Sequence, residues 1–163
     1  MLLNRHLGAF NIYIILLVIS LSIVINGTPE YPVVNFITYL FIHFLLIYLG
    51  IYHFKFILYF VYFFAGIIFD IFLLNELGTH VLTFMILILI LNQLQRLIIT
   101  LSSKKIFFLI TIILLLSLIF EMFLSFILLN YSFDIFNLLK SIIISLLISY
   151  PVYYLFNKID NFG

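Results

Sequence analysis

The chain has 163 residues, of which 67% are hydrophobic and 8% are charged, and its formal net charge is +1. With a mean hydropathy of +1.40, this is the composition of an integral membrane protein. The length leaves room for about six spans of roughly 20 residues and excludes a separate soluble domain. The absence of cysteine excludes disulfides, thiolate metal sites and cysteine nucleophiles. We expect no nucleic-acid partner, and the small net charge gives no indication of one.

Long apolar stretches follow one another along the chain, separated by short polar connections. Helices are the expected structure because open loops and sheet edges are not tolerated in hydrocarbon, and the alternation of a β-barrel is missing. The expected spans are residues 7–25, 33–52, 56–74, 79–99, 106–129 and 135–156. Short connections place neighbouring helices side by side as antiparallel hairpins. The sequence therefore predicts an all-α, polytopic membrane protein, a single-domain bundle of six transmembrane helices.

Basic residues fall in alternate connections, which predicts an orientation. The basic residues at one side are Arg5, Lys55, Arg96, Lys104, Lys105 and Lys158. The first, third and fifth connections carry Glu30, Glu76 and Asp134, without Lys or Arg. By the positive-inside rule, both termini are predicted to be cytoplasmic. The first span lacks a convincing small-residue cleavage site and is interpreted as a retained anchor.

The third hairpin places a carboxylate within an apolar run. Asp70 lies about one turn before the end of the third span, where a charge is costly and indicates a specific role. Gly66, four residues earlier, shares its helix face, and a small residue there lets a neighbouring helix come close. Leu77 and Gly78 end the span with a residue suited to a tight turn. We interpret this hairpin as a packing site between helices.

Other polar residues occupy the predicted spans at related depths. Asp70, Glu121 and Lys140 lie on three spans near one level, so we expect Lys140 to pair with Glu121 or Asp70, or else to extend outward to the headgroups. These charges either hold the bundle together or contact a ligand, and the first role is favoured. His43, in the middle of the second span, can donate a hydrogen bond to a neighbouring helix or, with a partner acid, relay protons, and the hydrogen-bonding role is favoured.

The fourth span ends in polar residues, and the chain lacks the usual signatures of catalysis. Asn92, Gln95 and Arg96 form a cytoplasmic polar end. Asn92 and Arg96 share a helix face that could bind another helix, a partner protein or lipid phosphate, but a simple polar helix end is favoured. The sequence has no phosphate-cradling glycine loop, no metal-ligand cluster and no nucleophile with a plausible base. We therefore predict that the protein is not an enzyme and has no cofactor or metal.

This pattern resembles the MreD family of bacterial rod shape-determining membrane proteins over nearly the full length. Gly66 and Asp70 match that family's G-x-x-x-D pattern, and Leu77 and Gly78 match its L-G pattern. The resemblance extends to a first outer loop containing Pro29 and Pro32 and to a fourth span that ends in polar and basic residues, here Gln95 and Arg96.

The resemblance implies a non-enzymatic component of the machinery that elongates the lateral cell wall in the bacterial inner membrane. Its implied direct partner is MreC, within a wider complex of MreB, RodZ, RodA and a class B penicillin-binding protein. It also implies a fold like that of the substrate-binding subunits of energy-coupling-factor (ECF) vitamin transporters. The alternative is therefore a small-molecule-binding transporter subunit, in which Asp70, Glu121, Lys140 and His43 would line a pocket.

Overall fold

The computed structural model describes residues 2–26, 32–74, 78–98, 100–129 and 135–162. These residues form α-helices and one π-helical turn, without strands, which confirms the predicted all-α fold. The helices are α1 (Leu2–Ile25), α2 (Pro32–Tyr52), α3 (Ile57–Phe69), α4 (Thr79–Ile98), α5 (Ser103–Leu129) and α6 (Ile135–Phe162), and the π-helical turn Asp70–Leu74 follows α3 directly.

Four of these helices are long and apolar enough to cross a membrane. They comprise Val33–Tyr52, Thr79–Ile98, Ser103–Leu128 and Ile135–Asp160. The apolar stretches Phe10–Ile25 and Ile57–Phe72 are shorter. The chain is therefore a membrane protein, while the crossing of α1 and α3 and the orientation of the termini stay predictions. Helix α6 continues past residue 156, where the predicted span ends, because its last turns pack Asp160 against α1 and α2.

Helix α2 lies at the centre of the bundle and contacts each of the other five helices. Its side chains from Phe44 to Leu49 are at most 1% exposed. This segment of α2 is suited to a central position, since each of its faces meets another helix. The outward faces of the surrounding helices expose large apolar side chains, as expected for surfaces that contact lipid.

Interhelical hydrogen bonds show that the helices run alternately up and down. Gln95 Nε2 donates to the Gly50 carbonyl oxygen at 2.6 Å, which joins the last turns of α2 and α4. The Tyr153 hydroxyl donates to the Ser103 carbonyl oxygen at 3.0 Å, which joins the last part of α6 to the start of α5. We call this the basic end, because Lys55, Arg96, Lys104, Lys105 and Lys158 lie there, and the other the opposite end.

Candidate functional site

Five polar side chains from α2, α4, α5 and the π-helical turn form a continuous hydrogen-bonded group towards the opposite end of the bundle. We call this group the buried network, and its members are Tyr39, His43, Asp70, His80 and Glu121. The four ionisable residues other than Tyr39 are at most 5% exposed. Buried ionisable groups are costly unless each has a partner, so the partners decide what this group does.

Asp70 caps the start of α4 from the end of the preceding helix. One of its oxygens, Oδ2, accepts the backbone N–H groups of Gly78 at 2.7 Å and Val81 at 3.2 Å, and Oδ1 accepts that of His80 at 2.8 Å. These N–H groups belong to the first turn of a helix, where they have no intrahelical acceptor. A carboxylate at this position also interacts favourably with the helix dipole. The cap therefore explains how an apolar hairpin accommodates a buried charge.

Two glycines allow the Asp70 cap to form. A Cβ atom on Gly66 would lie 2.6 Å from Val81 Cα and 2.9 Å from Val81 N, so the absence of a side chain lets α3 pack directly on the α4 backbone. Gly78 has φ +140°, a conformation that L side chains rarely adopt, and its N–H points to Asp70. Three of the four motif residues thus build one hairpin, while Leu77 lies outside the described residues.

His80 connects this hairpin to α5. Its Nδ1 contacts Asp70 Oδ1 at 2.8 Å, and its Nε2 contacts Glu121 Oε1 at 2.5 Å. His80 was not predicted from the sequence to be a site residue, although an imidazole near the start of an apolar span indicates a polar contact inside the membrane. Through His80, the position of the α4 N-terminus depends on a carboxylate of a different hairpin.

Glu121 brings α2 into the same network. Its Oε2 accepts the Tyr39 hydroxyl at 2.5 Å and contacts His43 Nε2 at 3.0 Å. His43 Nδ1 lies 3.0 Å from the Tyr39 carbonyl oxygen, and because a carbonyl only accepts, Nδ1 carries a hydrogen. The Nδ1 bond lies within α2, and the contact with a neighbouring helix that the position of His43 predicted is the one from Nε2 to Glu121 on α5.

The contacts of the two imidazoles set how many hydrogens a fully hydrogen-bonded network contains. Four contacts join an imidazole nitrogen to an oxygen: His80 to Asp70 and to Glu121, and His43 to Glu121 and to the Tyr39 carbonyl. One hydrogen in each contact makes four, which two imidazoles and two carboxylates hold with a net charge of zero, whichever atoms carry them. A neutral, fully paired group is the form that a low-dielectric interior accepts most readily.

Lys140 does not join this network, and the predicted pairing of Lys140 with Glu121 or Asp70 is wrong. Its side chain is exposed, and its Nζ lies 5.9 Å from the centre of the Phe36 ring. The two acids are instead paired with histidines and backbone N–H groups, which need no ammonium group to be buried. The long lysine stem can carry its charge outward, the alternative that the sequence left open.

A second polar cluster lies at the basic end, and we call it the Asp160 cluster. Asp160 Oδ1 accepts the Tyr13 hydroxyl at 2.8 Å and contacts His53 Nε2 at 3.2 Å, and Oδ2 accepts the Tyr48 hydroxyl at 2.5 Å. These contacts join α6 to α1 and to the end of α2. This cluster was not predicted from the sequence, because Asp160 lies beyond the predicted sixth span.

The predicted polar end of α4 is divided between two environments. Gln95 is partly buried and bonds to the Gly50 carbonyl, as described above. Asn92 and Arg96 are exposed. Gln95 therefore contributes to helix packing, whereas Asn92 and Arg96 are accessible to lipid or to a partner.

A cavity of about 490 Å³ lies beside the buried network, between α2, α5 and α6. Its polar lining includes Tyr39, His80 and Glu121 from the network, together with Asn35, Asn137 and Ser141. Of the four residues predicted for a ligand pocket, Glu121 lines this cavity, whereas Asp70, His43 and Lys140 do not. In the part of the chain that the structure describes, no group of three or more His, Asp or Glu side chains is arranged to hold a metal ion.

Comparison with models of known protein families, with curated proteins and with solved structures gives no match. The arrangement as a whole is a set of interlocking acceptors and donors, in which each acid contacts at least one histidine. Such a set holds helices in a defined relative position, which is a property of a rigid membrane component.

Proposed function

We propose that the protein is a non-enzymatic component of the cell-wall elongation machinery that maintains rod shape. It would reside in the bacterial inner membrane and act through MreC, with MreB, RodZ, RodA and a class B penicillin-binding protein in the wider complex. The observation that carries the proposal is the cap of α4 by Asp70, because the glycines and the acid that match the MreD pattern work together in this one hairpin.

The α3–α4 hairpin also offers a surface for a partner helix. Ile57, Phe60, Phe64 and Ile71 share one face at helical spacing and are between 47% and 58% exposed. The Asp70 cap and the close contact at Gly66 hold this face rigidly against the bundle. A rigid apolar face costs less ordering free energy on association than a mobile one does. We therefore propose that this face contacts the transmembrane segment of MreC.

A substitution at Asp70 tests whether the hairpin is needed for assembly. Asp70→Asn keeps the side-chain shape but replaces one acceptor with an NH₂ group that faces N–H donors. We expect lower recovery of MreC in pull-downs from native membranes and rounded cells at normal expression. Asp160→Asn is the matched control, since it makes the same chemical change in the Asp160 cluster. Normal cell shape and normal MreC recovery with Asp70→Asn would contradict the proposal.

Substitutions at exposed positions distinguish an effect on partner binding from an effect on folding. Phe60→Ala with Phe64→Ala removes apolar area from the proposed contact face without opening the core. Ile143→Ala with Leu147→Ala makes a similar change on α6, where both residues are more than half exposed. We expect the α3 variant to lose MreC while its protein level and melting temperature match those of the α6 control. Equal MreC recovery from both would exclude the α3 face as the contact.

The cavity favours a second candidate, a small-molecule-binding subunit of an ECF-type transporter. A cavity of about 490 Å³ has the size of a small-molecule site and includes a few convergent polar groups. Mass spectrometry of the proteins that accompany the tagged chain distinguishes the candidates. MreC and wall-synthesis enzymes would support the first, whereas a coupling subunit with transporter ATPases would support the second.

A further inference from the structure

Two adjacent ammonium groups lie above an apolar groove at the start of α5. Lys104 and Lys105 are in its first turn, and both are exposed. Within the described ranges of the chain, neither lysine makes an ion pair with a carboxylate. A groove of about 430 Å³ begins at these lysines and is lined further along α5 by Phe108, Leu109 and Ile112. The two positive charges therefore lie next to an apolar surface.

The position of the lysines in α5 makes an anion favourable there. The first turn of a helix carries free N–H groups and the positive end of the helix dipole, so cations there are unfavourable. The first turn of α5 contains no acidic residue. A phosphate group at this point would offset part of the positive charge of the two ammonium groups and accept backbone N–H groups as well.

Further along α5, an apolar cleft lies between this helix and α4. This cleft has a volume of about 320 Å³ and is lined by Ile86 and Ile90 of α4 and by Leu116 and Phe120 of α5. Positions 105, 109, 112, 116 and 120 follow one another at spacings of three or four residues, so they form one row along α5. The lysines, the groove and the cleft therefore lie on the same side of the helix.

The length of this row matches one leaflet of a bilayer. The rise from Lys105 to Leu116 is about 16 Å at the usual rise per residue. The hydrocarbon core of a bilayer is about 30 Å thick, so this distance is about half of it. The row therefore reaches from the headgroup level to the middle of the membrane, the depth that an acyl chain occupies.

We propose that this surface of α5 binds one anionic phospholipid. Its phosphate lies between Lys104 and Lys105, and one acyl chain follows the groove into the cleft beside Leu116. A zwitterionic lipid with the same chains binds less tightly, because its own cationic headgroup competes with the lysines for the phosphate. The site does not depend on the proposed function, since it uses neither the buried network nor the exposed face of α3.

Native mass spectrometry of the full chain in mild detergent tests this site. The probes are phosphatidylglycerol and phosphatidylcholine with identical acyl chains, added in equal amounts. We expect the protein to retain phosphatidylglycerol preferentially. The double variant Lys104→Gln/Lys105→Gln should bind phosphatidylglycerol roughly 30-fold more weakly, the loss expected for two basic residues near an anionic headgroup. The control Lys55→Gln/Lys140→Gln has the same net charge and should bind phosphatidylglycerol normally.

A second variant tests the acyl-chain part of the site without a change in charge. Leu116→Trp fills the cleft and should also weaken phosphatidylglycerol binding, while the melting temperature without added lipid stays that of the unmodified chain. Glycerol 3-phosphate, which has no acyl chains, should not compete. Equal retention of the two lipids by the unmodified protein, equal loss in the lysine control, normal binding by Leu116→Trp, or competition by glycerol 3-phosphate would each overturn the proposal.

Discussion

The buried network and the Asp160 cluster both pair carboxylates with partners between helices, but the partners and the exposure of the carboxylates differ. In the Asp160 cluster, one carboxylate accepts two tyrosine hydroxyls and contacts one histidine, and its side chain is 22% exposed. In the network, Asp70 and Glu121 share His80, and Asp70 is fully buried. Water can replace a lost partner at the basic end, whereas His43 and Asp70 are fully buried, do not line the cavity beside the network and depend on their protein partners. The network should therefore tolerate substitution less well.

Removal of the acid in each group gives the largest expected difference. Glu121→Ala leaves His43, His80 and the Tyr39 hydroxyl without their shared acceptor, and we expect a loss of about 3–5 kcal/mol in the free energy of unfolding, as for a broken buried ion pair. Asp160→Ala should cost about 1–3 kcal/mol, because water reaches the cluster. Denaturation in mixed micelles measures both values. Similar losses of unfolding free energy for the two variants would show that the buried network tolerates substitution as well as the Asp160 cluster does.

Close helix packing provides a second comparison, through Gly66 beside the network and Gly50 near the basic end. A Cβ atom on Gly66 would meet the Val81 backbone, whereas one on Gly50 would meet the side-chain atoms Leu91 Cδ1 and the Tyr62 hydroxyl oxygen. Side-chain tips can rotate away and a helix backbone cannot. We expect Gly66→Ala to cost about 1–3 kcal/mol and Gly50→Ala to cost less.

A second-site substitution sharpens the glycine comparison. Gly50→Ala should cost less in a Leu91→Ala background than in the unmodified chain, because Leu91→Ala removes one of the atoms that the new methyl group meets. Val81→Ala should not restore Gly66→Ala, since the obstructing atoms there are backbone atoms. The melting temperatures of the single and double variants in detergent measure this difference. Rescue of Gly66→Ala by Val81→Ala would show that the two helices can separate at this point.

The helices and part of the third hairpin could be predicted from the sequence. Continuous apolar runs of membrane length have few alternatives to helices, and a glycine four residues before an acid predicted a close contact that the structure contains. The partners of Glu121 could not be predicted: Asn35, Tyr39 and His43 recur every four residues along one face of α2, but nothing in the sequence pairs that face with α5 rather than with another helix. Tyr39 and Glu121 are 82 residues apart in the chain and meet only through the packing of the bundle.

The depth of Lys140 in its span did not predict its contacts correctly. Its substitution should have the smallest effect on the free energy of unfolding. The lysine lies on the same level as the acids, but its side chain is exposed and contacts the Phe36 ring. Lys140→Glu should therefore change the free energy of unfolding by less than about 0.5 kcal/mol.

A double-mutant cycle checks this expectation directly. Glu121→Lys alone should be strongly destabilising, since it puts an ammonium group next to two histidines, and Lys140→Glu should not rescue it. The cycle needs the unfolding free energies of the unmodified chain, both single variants and the double variant. A coupling energy near zero is expected, because the two side chains are not in contact. Substantial rescue would mean that Lys140 reaches Glu121 through the neighbouring cavity, and the network would then be as adaptable as the Asp160 cluster.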